Sequence, residues 1–222
     1  MKNKVVVITG ATSGIGQVAA ETLARQGART VQVARDRGRG EAAMKRLREI
    51  APGLDHAIHY ADLMRIAEMK RVALEIAAAE PRIDVLINNA GAMFGARDVT
   101  GDGLERTFAL NHMSYFVMAH GLRERLWSTA GARVVNTASD AHRFAKLDFA
   151  DLQSARNYQG FAVYCRSKLC NVLFTAELAR RWSAMGVTAN SLHPGFVATR
   201  FGDQSGGLPR SLRLRRSKAP GQ

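Results

Sequence analysis

Tyr164 and Lys168 stand four residues apart in the run Ala162-Val163-Tyr164-Cys165-Arg166-Ser167-Lys168-Leu169. On a helix that spacing sets both side chains on one face, about 6 Å apart along the axis. A phenol with an ordinary pKa of about 10 is a poor base at neutral pH, and a neighbouring ammonium draws it toward the working range by stabilising the phenolate. Such a pair moves a proton but needs something to oxidise or reduce. Far upstream, Thr9-Gly10-Ala11-Thr12-Ser13-Gly14-Ile15-Gly16 follows the apolar run Val5-Val6-Val7-Ile8 and opens a helical pattern. In that context a glycine turn holds a dinucleotide. Gly10 permits the tight turn, and Gly14 and Gly16 let the backbone approach a pyrophosphate and the helix pack on the sheet. The first N–H groups of the helix, around Thr12, Ser13 and Ile15, face the phosphates. The two halves together predict a nicotinamide-dependent oxidoreductase.

Which nicotinamide is set at the end of the second apolar run. A carboxylate there hydrogen-bonds the 2′-hydroxyl of NAD, and a cation accommodates the 2′-phosphate of NADP. The sequence reads Val33-Ala34-Arg35-Asp36-Arg37. Arg35 offers a planar fork to a phosphate, with Arg37 as a second partner, so NADP(H) is favoured. Asp36 competes, and NAD(H) stays open if the strand ends one residue later. Asp62, in Ala61-Asp62-Leu63, is placed to touch the adenine or to cap the next helix. Small residues and amides in Asn88-Asn89-Ala90-Gly91 let the chain pass close to a cofactor or make an ordinary turn. Ser139 closes the run Arg133-Val134-Val135-Asn136-Thr137-Ala138. Ligands bind beyond the carboxyl ends of strands in a doubly wound sheet, so its hydroxyl would face the same crevice and could donate to a carbonyl oxygen. Asn111 is a polar residue in an otherwise apolar helical stretch, a candidate to hold a water near Lys168.

The elements that must position these residues alternate. Strands are expected at 4–9, 30–34, 56–60, 85–88, 133–137 and 187–192, and helices near 14–26, 40–50, 65–79, 104–127 and 161–185. That alternation, with continuously apolar early strands, predicts an α/β fold: a doubly wound parallel sheet of the Rossmann type with six strands. Residues 1–202 form the dinucleotide-binding domain. The segment 203–222 lacks apolar periodicity, carries Arg210, Arg213, Arg215, Arg216 and Lys218 without an acid, and reads as a disordered basic tail.

Bulk composition narrows the alternatives. A chain of 222 residues with 46% hydrophobic content builds one substantial core. The formal charge of +13 is partly the tail's and otherwise spread over mixed-sign helices, which argues against a nucleic-acid partner. The two cysteines, Cys165 and Cys170, have no CxxC spacing and read as reduced packing residues. There is no apolar stretch of about 18 residues, so no membrane partner is expected and the location is read as cytoplasmic. The six histidines show no metal-ligand spacing, and no metal is predicted. His112 and His142 fall near the candidate site, with packing or loop roles favoured.

The glycine turn, Asn88-Asn89-Ala90-Gly91, Asn111, Ser139, Tyr164, Lys168 and Pro194-Gly195 occur in the order of a classical short-chain dehydrogenase/reductase, and the chain resembles that family over residues 4–202. The resemblance implies that Tyr164 is the general acid/base and that Ser139 orients a carbonyl or alcohol. It implies that Lys168 binds the nicotinamide ribose and tunes Tyr164, and that Asn111 completes a proton relay. Pro194, Gly195 and Thr199 would line the nicotinamide end. The 25-residue gap from Ser139 to Tyr164, with Ala141-His142, Asp151-Leu152-Gln153 and Tyr164-Cys165-Arg166-Ser167-Lys168-Leu169-Cys170-Asn171, is similar to the retinol dehydrogenase and WW-domain oxidoreductase-like branch. The family continues into a lid and a seventh strand, whereas composition here changes abruptly after Gly207, so a C-terminal truncation or an out-of-frame end is expected. The implied partner is a small carbonyl/alcohol substrate, and the long helices before Trp127 and Met185 leave a homodimer open. A cofactor-binding or partner-binding remnant without turnover is the alternative reading.

Overall fold

The computed structural model describes residues 1–195. Thr199, the 202 domain boundary, the basic tail and the expected position of a lid and seventh strand lie outside the described residues. Six parallel strands form one sheet: β1 (Val5–Thr9), β2 (Arg29–Ala34), β3 (Ala57–Tyr60), β4 (Val85–Asn88), β5 (Arg133–Thr137) and β6 (Thr188–Leu192), in the order β3-β2-β1-β4-β5-β6. Strand order reverses between β1 and β4, so the glycine turn after β1 and Asn89 after β4 open on one crevice. The strands match the expected ones to within a residue, and the apolar runs of β1 and β2 bury both faces. β6 is different. It pairs with β5 over five residues and is largely exposed, the edge of the sheet among the described residues.

Helices α1 (Gly14–Arg25), α2 (Arg37–Ile50) and α3 (Ile66–Ala79) follow the first three strands. α2 begins three residues earlier than the apolar pattern suggests, because Asp36 caps it by accepting a hydrogen bond from the Arg39 N–H at 2.8 Å. The expected helix at 104–127 is broken into α4 (Arg106–Phe108), a π-helical turn (Ala109–Met113), α5 (Ser114–Gly121) and α6 (Arg123–Trp127). The π turn widens the coil where the Asn111 side chain braces a neighbouring loop. α5 ends where Gly121 presses on α3, so close that a Cβ there would stand 2.6 Å from the Ala73 Cβ. A 3₁₀ turn (Asp140–Phe144) follows β5, and α7 (Gly160–Trp182) carries the Tyr–Lys pair. Met69, Val72 and Ile76 of α3, Met118 of α5, and Leu178 and Trp182 of α7 bury with Val7, Val31, Leu86 and Val134 of the sheet in the main core. Each such side chain contributes about 1.5–3 kcal/mol of burial. No helix among the described residues is long and apolar enough to cross a membrane.

At the amino end of the sheet, His56 ties the segment before β3 to β2. Its Nδ1 accepts from the Thr30 N–H at 3.1 Å and lies 2.9 Å from the Thr30 hydroxyl, while Nε2 is buried without a partner. The accepting Nδ1 fixes a neutral ring, and burial, then the Arg29 charge, hold its pKa below the ordinary 6.5. Between the folded value and 6.5 the unfolded chain binds the extra proton, so stability falls as pH drops through that window. Thermal midpoints measured from pH 7.5 downward should therefore decline, and His56→Gln should flatten part of that decline.

Candidate active site

The turn between β1 and α1 is built by backbone proximity. Gly10 has φ +68°, and a Cβ on it would lie 2.8 Å from the Ala90 Cα. At Gly16 a Cβ would lie 2.3 Å from the Gly10 carbonyl oxygen, so the first turn of α1 seats on the loop only without a side chain. Asn89 locks the other wall: its Nδ2 donates to the carbonyls of Thr9 and Gly10, each at 3.2 Å, while the Thr9 hydroxyl accepts from the N–H groups of Asn89 and Ala90. Ser13 precedes α1 in extended conformation and, like Gly14, is exposed; Thr12 and Ile15 are half-buried. The start of α1 therefore presents N–H groups to the crevice, a cradle of the shape and polarity a pyrophosphate needs.

Opposite this turn, the carboxyl ends of β4 and β5 meet the π turn and α7. Asn111 is fully buried; its Oδ1 accepts from the Ala92 N–H at 2.9 Å, and its Nδ2 donates to the Ala92 carbonyl at 2.9 Å and to the Ser167 hydroxyl at 3.0 Å. Its main-chain carbonyl accepts from Asn171 Nδ2 at 2.8 Å. The side chain expected to hold a water thus braces the loop after β4 and α7. Gly91 brings that loop against the set, since a Cβ there would lie 3.2 Å from Asn111 Oδ1 and 3.6 Å from Lys168 Nζ. Asn171 and Thr175 continue inward with Asn136 and Asn88 as a buried chain of amides and hydroxyls.

Lys168 is buried and donates to the Thr137 carbonyl at 2.8 Å, with Nζ 5.7 Å from the centre of the Tyr164 ring. Burial pulls its pKa down to about 7. The Tyr164 phenol is shifted upward from its ordinary value by burial, opposed by a hydrogen bond with the Ser139 side chain. The lowered phenol expected from the ammonium is thus reversed: Lys168 spends its short hydrogen bond on Thr137, and desolvation governs the phenol. Ser139 is half-buried at the head of the 3₁₀ turn; its hydroxyl accepts from the Ala141 N–H at 3.3 Å, and its carbonyl lies 2.7 Å from His142 Nδ1. His142 therefore has a loop role, steadying Ser139, and His112 packs against Phe108 and Phe174 while contacting Asn171 at 3.0 Å.

Such a crevice, a glycine cradle facing a serine, a tyrosine and a lysine across a strand reversal, has recognisable relatives. The family model for short chain dehydrogenase matches residues 4–206. The chain belongs to the short-chain dehydrogenase family. Retinol dehydrogenase 12 from Bos taurus is 43% identical over 199 residues, 89% of this chain and 63% of its own length. Retinol dehydrogenase 13 from Homo sapiens is 40% identical over 206 residues, 91% of this chain and 62% of its own. The chain thus spans less than two thirds of the length of these relatives. Among solved structures, a putative uncharacterized protein from Mycobacterium Paratuberculosis superposes with a TM-score of 0.78 at 35% identity, covering 91% of this chain and 72% of that one. A short-chain dehydrogenase from Sphingobium yanoikuyae in complex with NADPH superposes at 0.76 with 28% identity, covering 91% and 75%.

The remaining residues singled out in this short-chain dehydrogenase lie along the same edge. After β2, Arg35, Asp36 and Arg37 are exposed. The Asp36 carboxylate caps α2 and lies 3.5 Å from the Arg39 guanidinium, and Arg37 lies over the Tyr60 ring at 4.7 Å. Asp62 caps its own turn by accepting from the Met64 N–H at 3.1 Å, beside buried Leu63. Pro194 is half-buried and Gly195 has φ +75° at the end of the described chain. Two residues that sequence reading passed over belong to the set: Tyr115, fully buried beside Lys168, and Asn171. Their signal is helical spacing, since Tyr115 follows Asn111 by four residues and Asn171 follows Tyr164 by seven. Among the described residues no cluster of three or more His, Cys, Asp or Glu side chains has the arrangement of a metal site.

Proposed function

We propose that the chain is an NADP(H)-dependent oxidoreductase acting on a small carbonyl/alcohol pair, with Tyr164 as the general acid/base. The observation that carries this reading is the joining of Ser139 to the Tyr164 phenol, with the Lys168 ammonium behind it, at the strand ends that flank the glycine cradle. When bound, the nicotinamide supplies or accepts the hydride. The chain's own residues do the rest. Ser139 donates to the substrate oxygen and holds it against the phenol. Tyr164 passes its proton to that oxygen in reduction and takes it back in oxidation. A phenol kept above its ordinary value stays protonated across the neutral range, which suits it as the donor in carbonyl reduction. Lys168 anchors the ribose and steadies the phenolate as it forms.

The NADP preference rests on Arg35. Asp36, the competing acceptor for a ribose hydroxyl, has its carboxylate engaged by the start of α2, and Arg37 is held on Tyr60, which leaves Arg35 at the strand end to meet a 2′-phosphate. The NADPH complex of the Sphingobium yanoikuyae relative agrees with this choice. The test is NADPH consumption dependent on added carbonyl compounds, paired with thermal shifts in NADPH and NADH. NADPH should give the larger shift. Arg35→Ala should weaken NADPH binding by roughly tenfold to a hundredfold, the worth of a lost charge-assisted hydrogen bond, while leaving NADH nearly unchanged. A larger NADH shift in the unaltered chain would overturn the assignment.

A further inference from the structure

We propose that Tyr115 is a positioning residue for this reaction, its aromatic ring holding the Lys168 ammonium at the Thr137 carbonyl and against Tyr164. The inference rests on the reading of Tyr164 and Lys168 given above. It comes from a problem the fold has to solve. An ammonium buried among β5, the π turn and α7 has left water, and among the described residues it forms no salt bridge. One main-chain carbonyl, Thr137 at 2.8 Å, is its hydrogen-bonding partner.

The structure supplies two further sources of negative potential, both aromatic. Nζ lies 5.6 Å from the centre of the Tyr115 ring and 5.7 Å from that of Tyr164, inside the range in which a ring face attracts a cation. The ammonium is thus held by two tyrosines on different elements, α5 and α7. The Tyr115 hydroxyl lies 3.5 Å from the same Thr137 oxygen, so the cation and the ring stand beside one carbonyl. Tyr115 has no exposed surface, and burial followed by the neighbouring Tyr164 pushes its phenol far above the ordinary value. It therefore stays neutral, keeps its ring potential and moves no proton. Among the described residues, the titratable side chains whose rings face Lys168 are these two tyrosines; Gly91, with Asn111 Oδ1 beside it, closes the side toward β4.

Helical spacing explains how Tyr115 comes to be there. Asn111 and Tyr115, four residues apart, share one helical face, Asn111 reaching the loop after β4 and Tyr115 lying beside Lys168. A ring is suited to this place because it lends potential without a formal charge. A carboxylate at the same point would pair with Lys168 and compete with Tyr164 for it.

The experiment follows the titration of Lys168 directly. In the full 222-residue chain carrying ¹³C/¹⁵N-lysine, the Lys168 Cε resonance is assigned with Lys168→Met and followed against pH. Two replacements at 115 keep the ring and its volume: Tyr115→Phe, and 3,4,5-trifluorophenylalanine, whose ring face has lost most of its negative potential. The Phe variant should titrate close to the unaltered chain, and the trifluoro variant lower by about half a unit or more, the scale of a partly desolvated cation–π contact. Equal titration of the two variants would overturn the proposal, because a purely packing role is indifferent to fluorination. Turnover of Tyr164→Phe separates the two readings. If carbonyl-dependent NADPH consumption is indifferent to that change, the reaction itself is misassigned and Tyr115 loses its role with it. If Tyr164→Phe abolishes turnover while fluorination leaves Lys168 unmoved, Tyr115 alone is misassigned.

Discussion

Tyr164→Phe is expected to lower carbonyl-dependent NADPH consumption by about 10²–10⁴-fold, the contribution of one positioned acid/base, while NADPH still raises the thermal midpoint. The substitution removes a single oxygen. The ring keeps its place on α7, Lys168 keeps its bond to Thr137, and the glycine cradle is untouched. What goes is the hydroxyl joined to Ser139, the group proposed as the proton donor. Loss of turnover with retained NADPH stabilisation therefore isolates proton transfer from binding. Ser139→Ala should cost turnover as well, but water can replace an orienting donor more readily than a proton source. A Tyr164→Phe chain that turns over at the unaltered rate would remove Tyr164 from the chemistry. The pH dependence has a definite sign. Because burial keeps the phenol above about 10, carbonyl reduction should not lose its proton donor anywhere in the neutral range, and a loss from this source is confined to alkali.

The sheet was legible because its strands are short apolar runs with glycines, amides and cations at their ends, and period and punctuation agree there. Tyr164 and Lys168 were legible for a similar reason, since four residues on a helix fix a common face whatever the rest of the fold does. What escaped was set by tertiary contact. The break at 109–113 leaves no mark in Ala109-Leu110-Asn111-His112-Met113, a sequence suited to an ordinary helix. It exists because the Asn111 amide finds both polar groups of Ala92 across the crevice. The direction of the Tyr164 shift escaped because a neighbouring cation and burial push a phenol in opposite senses, and spacing alone does not give burial. Asp36 and Arg35 show the same limit. Both stand at the carboxyl end of β2, and only the cap on α2 shows which of them is engaged.

Gly16→Ala is expected to cost the chain both stability and the NADPH response, and the contrast with Gly53→Ala makes the reason specific. A Cβ on Gly16 would stand 2.3 Å from the Gly10 carbonyl oxygen and 2.4 Å from Asn89 Nδ2, whereas one on Gly53 meets nothing within 4 Å. The first obstacle is backbone of the turn itself and has no rotamer to change. The second is a side chain whose displacement breaks its bonds to the Thr9 and Gly10 carbonyls, groups that join the ends of β1 and β4. Overpacking of this kind costs about 1–3 kcal/mol, and each hydrogen bond given up adds about 0.5–1.5. In a chain of this size that lowers the melting midpoint by at least about 4 °C. The same movement opens the cradle, so saturating NADPH should no longer raise the midpoint of whatever protein still folds. Gly53→Ala should melt like the unaltered chain and keep its NADPH shift. If the two variants behave alike, the close seat of α1 on the turn is wrong, and with it the reason for a glycine at position 16. If Gly16→Ala melts low but NADPH still restores it, the turn serves the fold and the phosphates are held elsewhere.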